Sequence, residues 1–297
     1  MMALLIDNVG DAFRALPREA VVAAMATLGL LVGSFLNVVV CRLPRMLERQ
    51  WAYDAASWAG EAPPVVPAFN LAWPPSHCPH CETRIAARHN VPVLGFVLLR
   101  GRCANCRAAI SLRYPLVELA VGIMFATLAW AFVPSMQYLA MLAWCGFGAA
   151  LLALALIDID TRLLPDALTL PLLWAGLLGS VAGLTLPIDE AVLGAALGYG
   201  VMAAMAGAYR ALTGVDGLGG GDAKLVAACG AWLGWIGTPL MLAFGAVAAT
   251  LAFAGLGVWR GRALREPLPF GPWLCLGAVA SRLWGEPFLD LWLRPGG

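Results

Sequence analysis

Charged residues are scarce in this chain of 297 residues: only 12% are Asp, Glu, Lys or Arg, and 61% are hydrophobic. Soluble domains of this size are about half apolar and carry about a quarter charged residues. The composition therefore excludes an ordinary soluble domain and indicates an integral membrane protein. The net charge is +1, which gives no indication of nucleic-acid binding. Histidine is also rare, since His77, His80 and His89 are the three in the chain.

Long uncharged runs separate the few charged clusters. A bilayer core of about 30 Å requires about 20 apolar residues per helix. The run 225–259 is too long for one span, and Gly237-Thr238-Pro239 is predicted to divide it into two helices. The sequence therefore predicts an all-α polytopic membrane protein with about eight transmembrane helices. They are expected within 20–41, 115–133, 139–157, 167–186, 191–209, 225–259 (two helices) and 267–284.

Arginine is distributed unevenly between the predicted loops. Basic residues occur in 42–114, 158–166, 210–224 and 260–266, whereas 134–138, 187–190 and 237–239 contain no Lys or Arg. The positive-inside rule assigns the first group to the cytoplasm. We therefore expect three parts: residues 1–41 with the first transmembrane helix, a cytoplasmic segment 42–114, and a membrane core 115–297.

The cytoplasmic segment contains four cysteines in two closely spaced pairs. Cys78-Pro-His-Cys81 and Cys103-Ala-Asn-Cys106 form paired C-x2-C turns within a module at 76–114. Such pairs can close tetrahedrally on Zn²⁺ as a structural site with no position open to substrate. Two disulfides or a redox pair are the alternatives, which a cytoplasmic location disfavours. The three nearby histidines are substitute ligands that a complete set of four cysteines makes unnecessary.

Acidic residues occur at two membrane boundaries. Asp222 belongs to the glycine-rich run 217–224, which also holds Lys224, the one lysine of the chain. A second cluster includes Asp158, Asp160 and Asp166. A carboxylate near a membrane is costly and is by default a functional candidate.

The position of each acid relative to its helix separates the candidates. Asp166 follows a proline and precedes an apolar run, which predicts a helix N-cap. Asp158 ends an apolar run, where the helix dipole disfavours an acid, whereas Asp160 is expected to be solvated or paired with Arg162. For Asp222 the sequence leaves two roles open, a helix N-cap before the run at 225 and a catalyst, and the two are compatible. If Asp158 and Asp222 meet, they can share a proton, activate water and polarise a carbonyl, as in aspartic peptide hydrolysis.

With these motifs, the chain resembles the bacterial type IV prepilin leader peptidases, which are bifunctional peptidase/N-methyltransferases. The resemblance extends over nearly the whole length. It rests on the motif Gly33-Ser-Phe-Leu-Asn37 continuing through Arg42 to Pro44, the paired C-x2-C turns, the segment 110–118, Asp158 with Leu164-Pro-Asp166, the GxGD motif at 219–222, and Pro269-Phe-Gly-Pro272.

The resemblance implies that the basic leader of prepilins and type II secretion pseudopilins is cleaved at the cytoplasmic face of the bacterial inner membrane. It assigns Asp158 and Asp222 as the catalytic aspartates of the membrane core. It also implies that S-adenosylmethionine then methylates the new N-terminal residue, with Gly33, Asn37 and Arg42 as weak candidates for this part.

Three alternatives use the same residues differently. One is a GxGD membrane peptidase without methyltransferase activity. Another is a proton-coupled transporter with the acids as a relay, which predicts paired half-bundles with broken helices; the sequence contains no such internal symmetry. The last is a scaffold in a secretion complex, where the acids would be replaceable caps.

Overall fold

The computed structural model describes residues 16–62, 64, 67–215, 217, 219–260 and 269–293. Within these ranges the chain is helical, and the β-structure consists of isolated bridges between His77 and Arg84 and between Arg102 and Ala109. The all-α prediction is confirmed. The α-helices in these ranges are α1 Arg18–Trp58, α2 Leu94–Leu98, α3 Arg113–Phe132, α4 Tyr138–Thr161, α5 Asp166–Val181, α6 Ile188–Thr213, α7 Gly220–Arg260 and α8 Gly271–Leu293; 3-10 turns lie at Ala87–His89 and Val133–Ser135.

Five helices in the described ranges are long and apolar enough to cross a membrane: α1, α3, α4, α6 and α7. The prediction of eight spans is not confirmed. Helix α5 has 16 residues, fewer than the roughly 20 that a full span requires. Helix α8 contains the charged residues Arg282, Glu286 and Asp290, which lower its hydropathy. Arg262 and Arg265 of the predicted loop 260–266, together with the start of the last predicted span at 267, lie outside the described residues.

The first helix is much longer than its apolar run. The predicted span lies within 20–41, and α1 continues beyond it through Pro44 to Trp58. The charged stretch after residue 41 is rich in good helix formers such as Arg45, Glu48 and Arg49. The helix ends where Gly60 adopts a φ of 72°, the left-handed conformation that commonly follows a helix C-terminus.

Helix α7 bends earlier than predicted. The break lies at Gly234, with φ 72° and ψ −179°, and the predicted break at Gly237-Thr238-Pro239 is wrong. A proline ring clashes with the carbonyl one turn before it, so the distortion caused by Pro239 falls N-terminal to the proline. Gly234 lies next to that turn and adopts positive φ without a steric penalty.

The chain divides into two compact units, Met1–Ala149 and Ala150–Gly297. In the first unit α1 packs against α3, and the four-cysteine module lies between them in the sequence. The helices meet at glycines: a methyl group on Gly29 would lie 2.6 Å from the carbonyl oxygen of Val121, and one on Gly33 would lie 2.7 Å from the Cα of Glu118. Small residues allow this close approach of membrane helices.

In the second unit α7 packs against α5, α6 and α8. Its first turns contain fully buried residues such as Leu225 and Val226. A methyl group on Gly198 of α6 would lie 2.9 Å from the carbonyl oxygen of Val226. The indole of Trp232 donates a hydrogen bond to the Leu172 carbonyl of α5 at 2.9 Å. These contacts fix the start of α7, which carries Asp222.

Candidate active site

Asp158 lies in the last turn of α4 and is only 5% exposed. Its Oδ2 accepts a hydrogen bond of 2.9 Å from the backbone N–H of Gly271, the first residue of α8. The N-terminus of α8 therefore points at this carboxylate, and a helix N-terminus stabilises negative charge. The C-terminus of α4 disfavours the negative charge of Asp158, whereas the N-terminus of α8 stabilises it.

Asp222 lies in the first turn of α7, which begins at Gly220. Its backbone N–H bonds to the carbonyl of Gly219 at 3.1 Å, and its side chain is half-buried. A methyl group on Gly221 would lie 2.9 Å from the Cβ of Leu164, so this position holds the motif close to the segment before α5. Among the described residues, no atom outside this helix and its chain neighbours lies within 4 Å of the position where Gly220 would carry a side chain. Leu218 of the same motif lies outside the described residues.

The structure brings Asp158 and Asp222 to one cavity of about 810 Å³. Both residues line this cavity. The volume is within the about 300–1,000 Å³ typical of ligand sites. Apolar side chains complete the lining beside the glycine-rich turn, among them Met202, Met205, Leu242 and Phe270. The arrangement can hold an extended peptide with its backbone beside two acids.

The other acids of these motifs have different surroundings. Both oxygens of Asp166 accept hydrogen bonds from Lys224 Nζ, at 2.8 and 2.7 Å. The predicted N-cap role of Asp166 is wrong, because Pro165 occupies that position and Asp166 is the first helical residue. Asp160 is exposed, as predicted. The pairing of Lys224, two residues after Asp222, with Asp166 is not among the contacts predicted from the sequence.

The four predicted cysteines form a cluster. The sulfurs of Cys78, Cys81, Cys103 and Cys106 all lie within 4.8 Å of one another, and those of Cys78 and Cys106 are 3.8 Å apart. Four thiolates at the Zn–S distance of 2.3 Å in a tetrahedron have sulfurs about 3.8 Å apart, so the set fits Zn²⁺. Hydrogen bonds from Thr83 and Asn105 lower the pKa of Cys81 to about 5, which favours the thiolate that binds a metal.

The three weak candidates for methyl transfer make structural contacts. Gly33 packs against Glu118, and the Asn37 side-chain amide donates to the Tyr114 carbonyl at 3.1 Å. The Arg42 guanidinium donates to the carbonyls of Asn70 and Pro74 at 3.0 and 2.7 Å. These contacts hold α1 to α3 and to the loop before the cysteines. The polar groups of Asn37 and Arg42 are thus engaged with backbone carbonyls, and the role of the three residues in methyl transfer stays a prediction.

Comparison with known proteins identifies the family. Residues 27–132 match the family described as Bacterial Peptidase A24 N-terminal domain, and residues 145–254 match the Type IV leader peptidase family. A Burkholderia pseudomallei (strain 1026b) protein named prepilin leader peptidase/N-methyltransferase is 47% identical over 93% of this chain and 90% of its own length. Proteins of the same name from Aeromonas hydrophila (44% identical; 86% of this chain, 88% of that protein) and Stutzerimonas stutzeri (43%; 93% and 94%) are also similar.

No solved structure matches the chain. The two family matches follow one another along the sequence and divide it between residues 132 and 145. The second match contains both Asp158 and Asp222, and the first contains the four cysteines. Together with relatives of more than 40% identity over most of the length, these matches show that the chain belongs to the type IV leader peptidase family.

Proposed function

We propose that this protein cleaves the basic leader of type IV prepilins and type II secretion pseudopilins and then methylates the new N-terminal residue. The observation that carries the peptidase proposal is the cavity shared by Asp158 and Asp222. The curated relatives are named for both activities. The aspartates supply the acid and base for peptide hydrolysis, and the glycine-rich turn leaves room for the substrate backbone.

In the proposed reaction the two carboxylates share one proton, because two neighbouring carboxylates do not both ionise easily. The ionised carboxylate removes a proton from water, which attacks the scissile carbonyl. The protonated carboxylate donates a hydrogen bond to the carbonyl oxygen and stabilises the charge that develops there. The proton taken from water then reaches the leaving amine. Gly271 holds Asp158 in place through its backbone N–H.

The site is proposed to lie at the cytoplasmic face of the bacterial inner membrane, in a multi-pass protein. Helix α6 carries Arg210 in its last turn, and Lys224 follows in the first turns of α7. Both flank the glycine-rich turn, and basic residues at a membrane boundary favour the cytoplasmic side. Asp158 is at the end of α4 that faces the same turn, since it lines the cavity with Asp222.

Two further components are proposed. The four cysteines hold a structural Zn²⁺ that stabilises the 76–114 module, since a closed all-thiolate site has no position for substrate. S-adenosylmethionine supplies the methyl group when it is bound. Gly33, Asn37 and Arg42 stay the weak candidates for this part.

The proposal is tested by incubating the purified, lipid-reconstituted protein with a prepilin and following the leader by mass spectrometry. Asp158→Asn and Asp222→Asn should each abolish cleavage, because either change removes one member of the pair. Asp160→Asn is the matched control, since this exposed acid lies in the same motif, and it should cleave like the wild type. Wild-type cleavage by either Asn variant would refute the two-aspartate mechanism.

The same assay separates the alternatives. With S-adenosylmethionine present, the mature product should gain the mass of one methyl group. Cleavage without this gain would indicate a peptidase without methyltransferase activity. Absence of cleavage in the wild type, together with proton-coupled uptake of a solute, would favour a transporter.

A further inference from the structure

The short helix α2 presents one apolar face outward from the cysteine module. Leu94, Val97 and Leu98 are 59%, 61% and 73% exposed. Their spacing of i, i+3 and i+4 places them on one face of a helix. The opposite face packs inward, because Gly95 is buried against the backbone of His89 and Phe96 contacts Gly101. The large apolar side chains of this face therefore do not pack into the core of the cysteine module.

A hydrogen bond to a buried glutamate determines where α2 lies along α3. The backbone N–H of Val93, directly before α2, donates to Glu118 Oε2 at 2.7 Å. Glu118 is 8% exposed and lies five residues into α3, which is long and apolar enough to span the membrane. At 1.5 Å per residue this is about 7.5 Å along the helix axis. Helix α2 is thus held beside the first turns of a membrane span.

The connection at Val93 is a tight, hydrogen-bonded turn. Its φ of 61° is unusual for a β-branched residue. The N–H of Leu94 bonds back to the carbonyl of Pro92 at 2.6 Å and closes a tight turn. The buried carboxylate of Glu118 accepts the hydrogen bond from Val93 at the centre of this turn. The turn thereby connects α2 to α3.

The outer surface of α3 beside this level is also apolar. Leu112 directly before α3 and Leu116 in its second turn are 64% and 61% exposed. Within a spanning protein such residues face lipid. The apolar face of α2 therefore lies at a level where the neighbouring span already contacts the bilayer.

The charges of the module complement an anionic surface. Five exposed arginines flank α2 on both sides, and Glu82 is the one acid between residues 76 and 112. A zinc ion bound by four thiolates would contribute two negative charges, which leaves the module with net positive charge. Basic residues close to a membrane are attracted to anionic headgroups. The arginines are Arg84, Arg88, Arg100, Arg102 and Arg107.

We propose that α2 is an interfacial membrane anchor: Leu94, Val97 and Leu98 enter the boundary between headgroups and acyl chains, and the flanking arginines contact anionic headgroups. The occupant of this face is lipid of the bilayer that α3 crosses. An amphipathic helix with arginines at its polar flanks is suited to this position. The module is thereby held against the membrane by its own surface as well as by its connections to α1 and α3.

The experiment places a photoreactive residue on this face in the full-length protein. Leu98 or Val97 is replaced by p-benzoylphenylalanine, and the protein is reconstituted into vesicles of phosphatidylethanolamine and phosphatidylglycerol. After irradiation, phospholipid adducts are quantified by mass spectrometry of the digested protein. Ala104 is the matched control, because it is exposed on the same module but lies in the second cysteine turn. Ile123, 62% exposed in α3, is the positive control for lipid contact.

The proposal predicts several-fold more lipid adduct at positions 97 and 98 than at 104, approaching the level at 123. Equal adduct at 98 and 104 would overturn it. Adducts at 98 to a second copy of the chain, or to added prepilin in place of lipid, would also overturn it. Each variant is required to keep the thermal unfolding transition of the wild type. Because positions 97 and 98 lie on the same face, the result does not depend on one variant alone.

Discussion

A methyl group added to Gly271 would test how closely the position of Asp158 is controlled. This methyl group would lie 2.8 Å from Oδ2 and 3.1 Å from Cγ of Asp158. Ordinary van der Waals contact begins at 3.4 Å, so the carboxylate must retreat by about 0.6 Å. The same methyl group would lie 3.2 Å from Leu164 Cδ2, so it cannot relieve the contact with Asp158 by moving toward Leu164. The backbone N–H that binds Asp158 remains in Gly271→Ala.

The expected effect on cleavage follows from this displacement. A shift of about 1 Å at a reacting group costs about 100-fold in rate, so a shift of 0.6 Å corresponds to a loss of roughly tenfold. The loss should be in kcat, since the methyl group contacts the carboxylate that is proposed to be catalytic and not the substrate leader. Overpacking of this kind costs about 1–3 kcal/mol of stability, which leaves the protein folded.

The assay compares kcat and KM for prepilin cleavage by the wild type, Gly271→Ala and Gly200→Ala. Gly200 is a matched control because it is an exposed helical glycine of the same unit with no atom within 4 Å of an added methyl group. Gly200→Ala should cleave like the wild type. If Gly271→Ala also cleaved at the wild-type kcat, the contact between Gly271 and Asp158 would not position a catalytic group.

Three further changes test other contacts. Cys78→Ser should lower the zinc content and the thermal stability of the protein, because Cys78 is buried in the cluster; unchanged bound zinc by elemental analysis would exclude this ligand set. Glu118→Ala removes the acceptor of the Val93 N–H and should lower the unfolding free energy by about 1–3 kcal/mol. Glu118→Gln keeps an acceptor and should cost less. Equal losses for the two variants would contradict the role of Glu118 as that acceptor. Lys224→Ala breaks a pair whose side chains are 38% and 53% exposed, so we expect a loss of at most about 1 kcal/mol in the same measurement.

The acids of the candidate site stand out in the sequence, whereas the contacts that hold them do not. Asp158 and Asp222 could be singled out because a carboxylate beside an apolar run is unusual. Gly271 could not be linked to Asp158 from the sequence, because its contribution is a backbone N–H that every residue except proline possesses. The pair of Lys224 with Asp166 was missed for a related reason: two exposed charges far apart in sequence carry no signal of their distance.

The helix boundaries differ from the prediction where hydropathy and helix formation diverge. An apolar run indicates the part of a helix that lies in lipid and not the point where the backbone leaves helical geometry. Helix α1 therefore extends beyond residue 41 until Gly60 permits a left-handed turn. The cysteine module was easier to predict, because four thiolates at fixed spacing satisfy one geometric condition regardless of the surrounding fold.

The glycine contacts between helices have a consequence for stabilising this enzyme. Replacing helical glycine with alanine commonly stabilises a protein, because it restricts the unfolded chain. Here Gly200 and Gly207 have open space around them and are suitable sites for that strategy. At Gly29 and Gly198 an added methyl group would lie 2.6 and 2.9 Å from a carbonyl oxygen of the facing helix. A consensus or library approach that treats all glycines alike would therefore combine stabilising changes with changes that separate the helices.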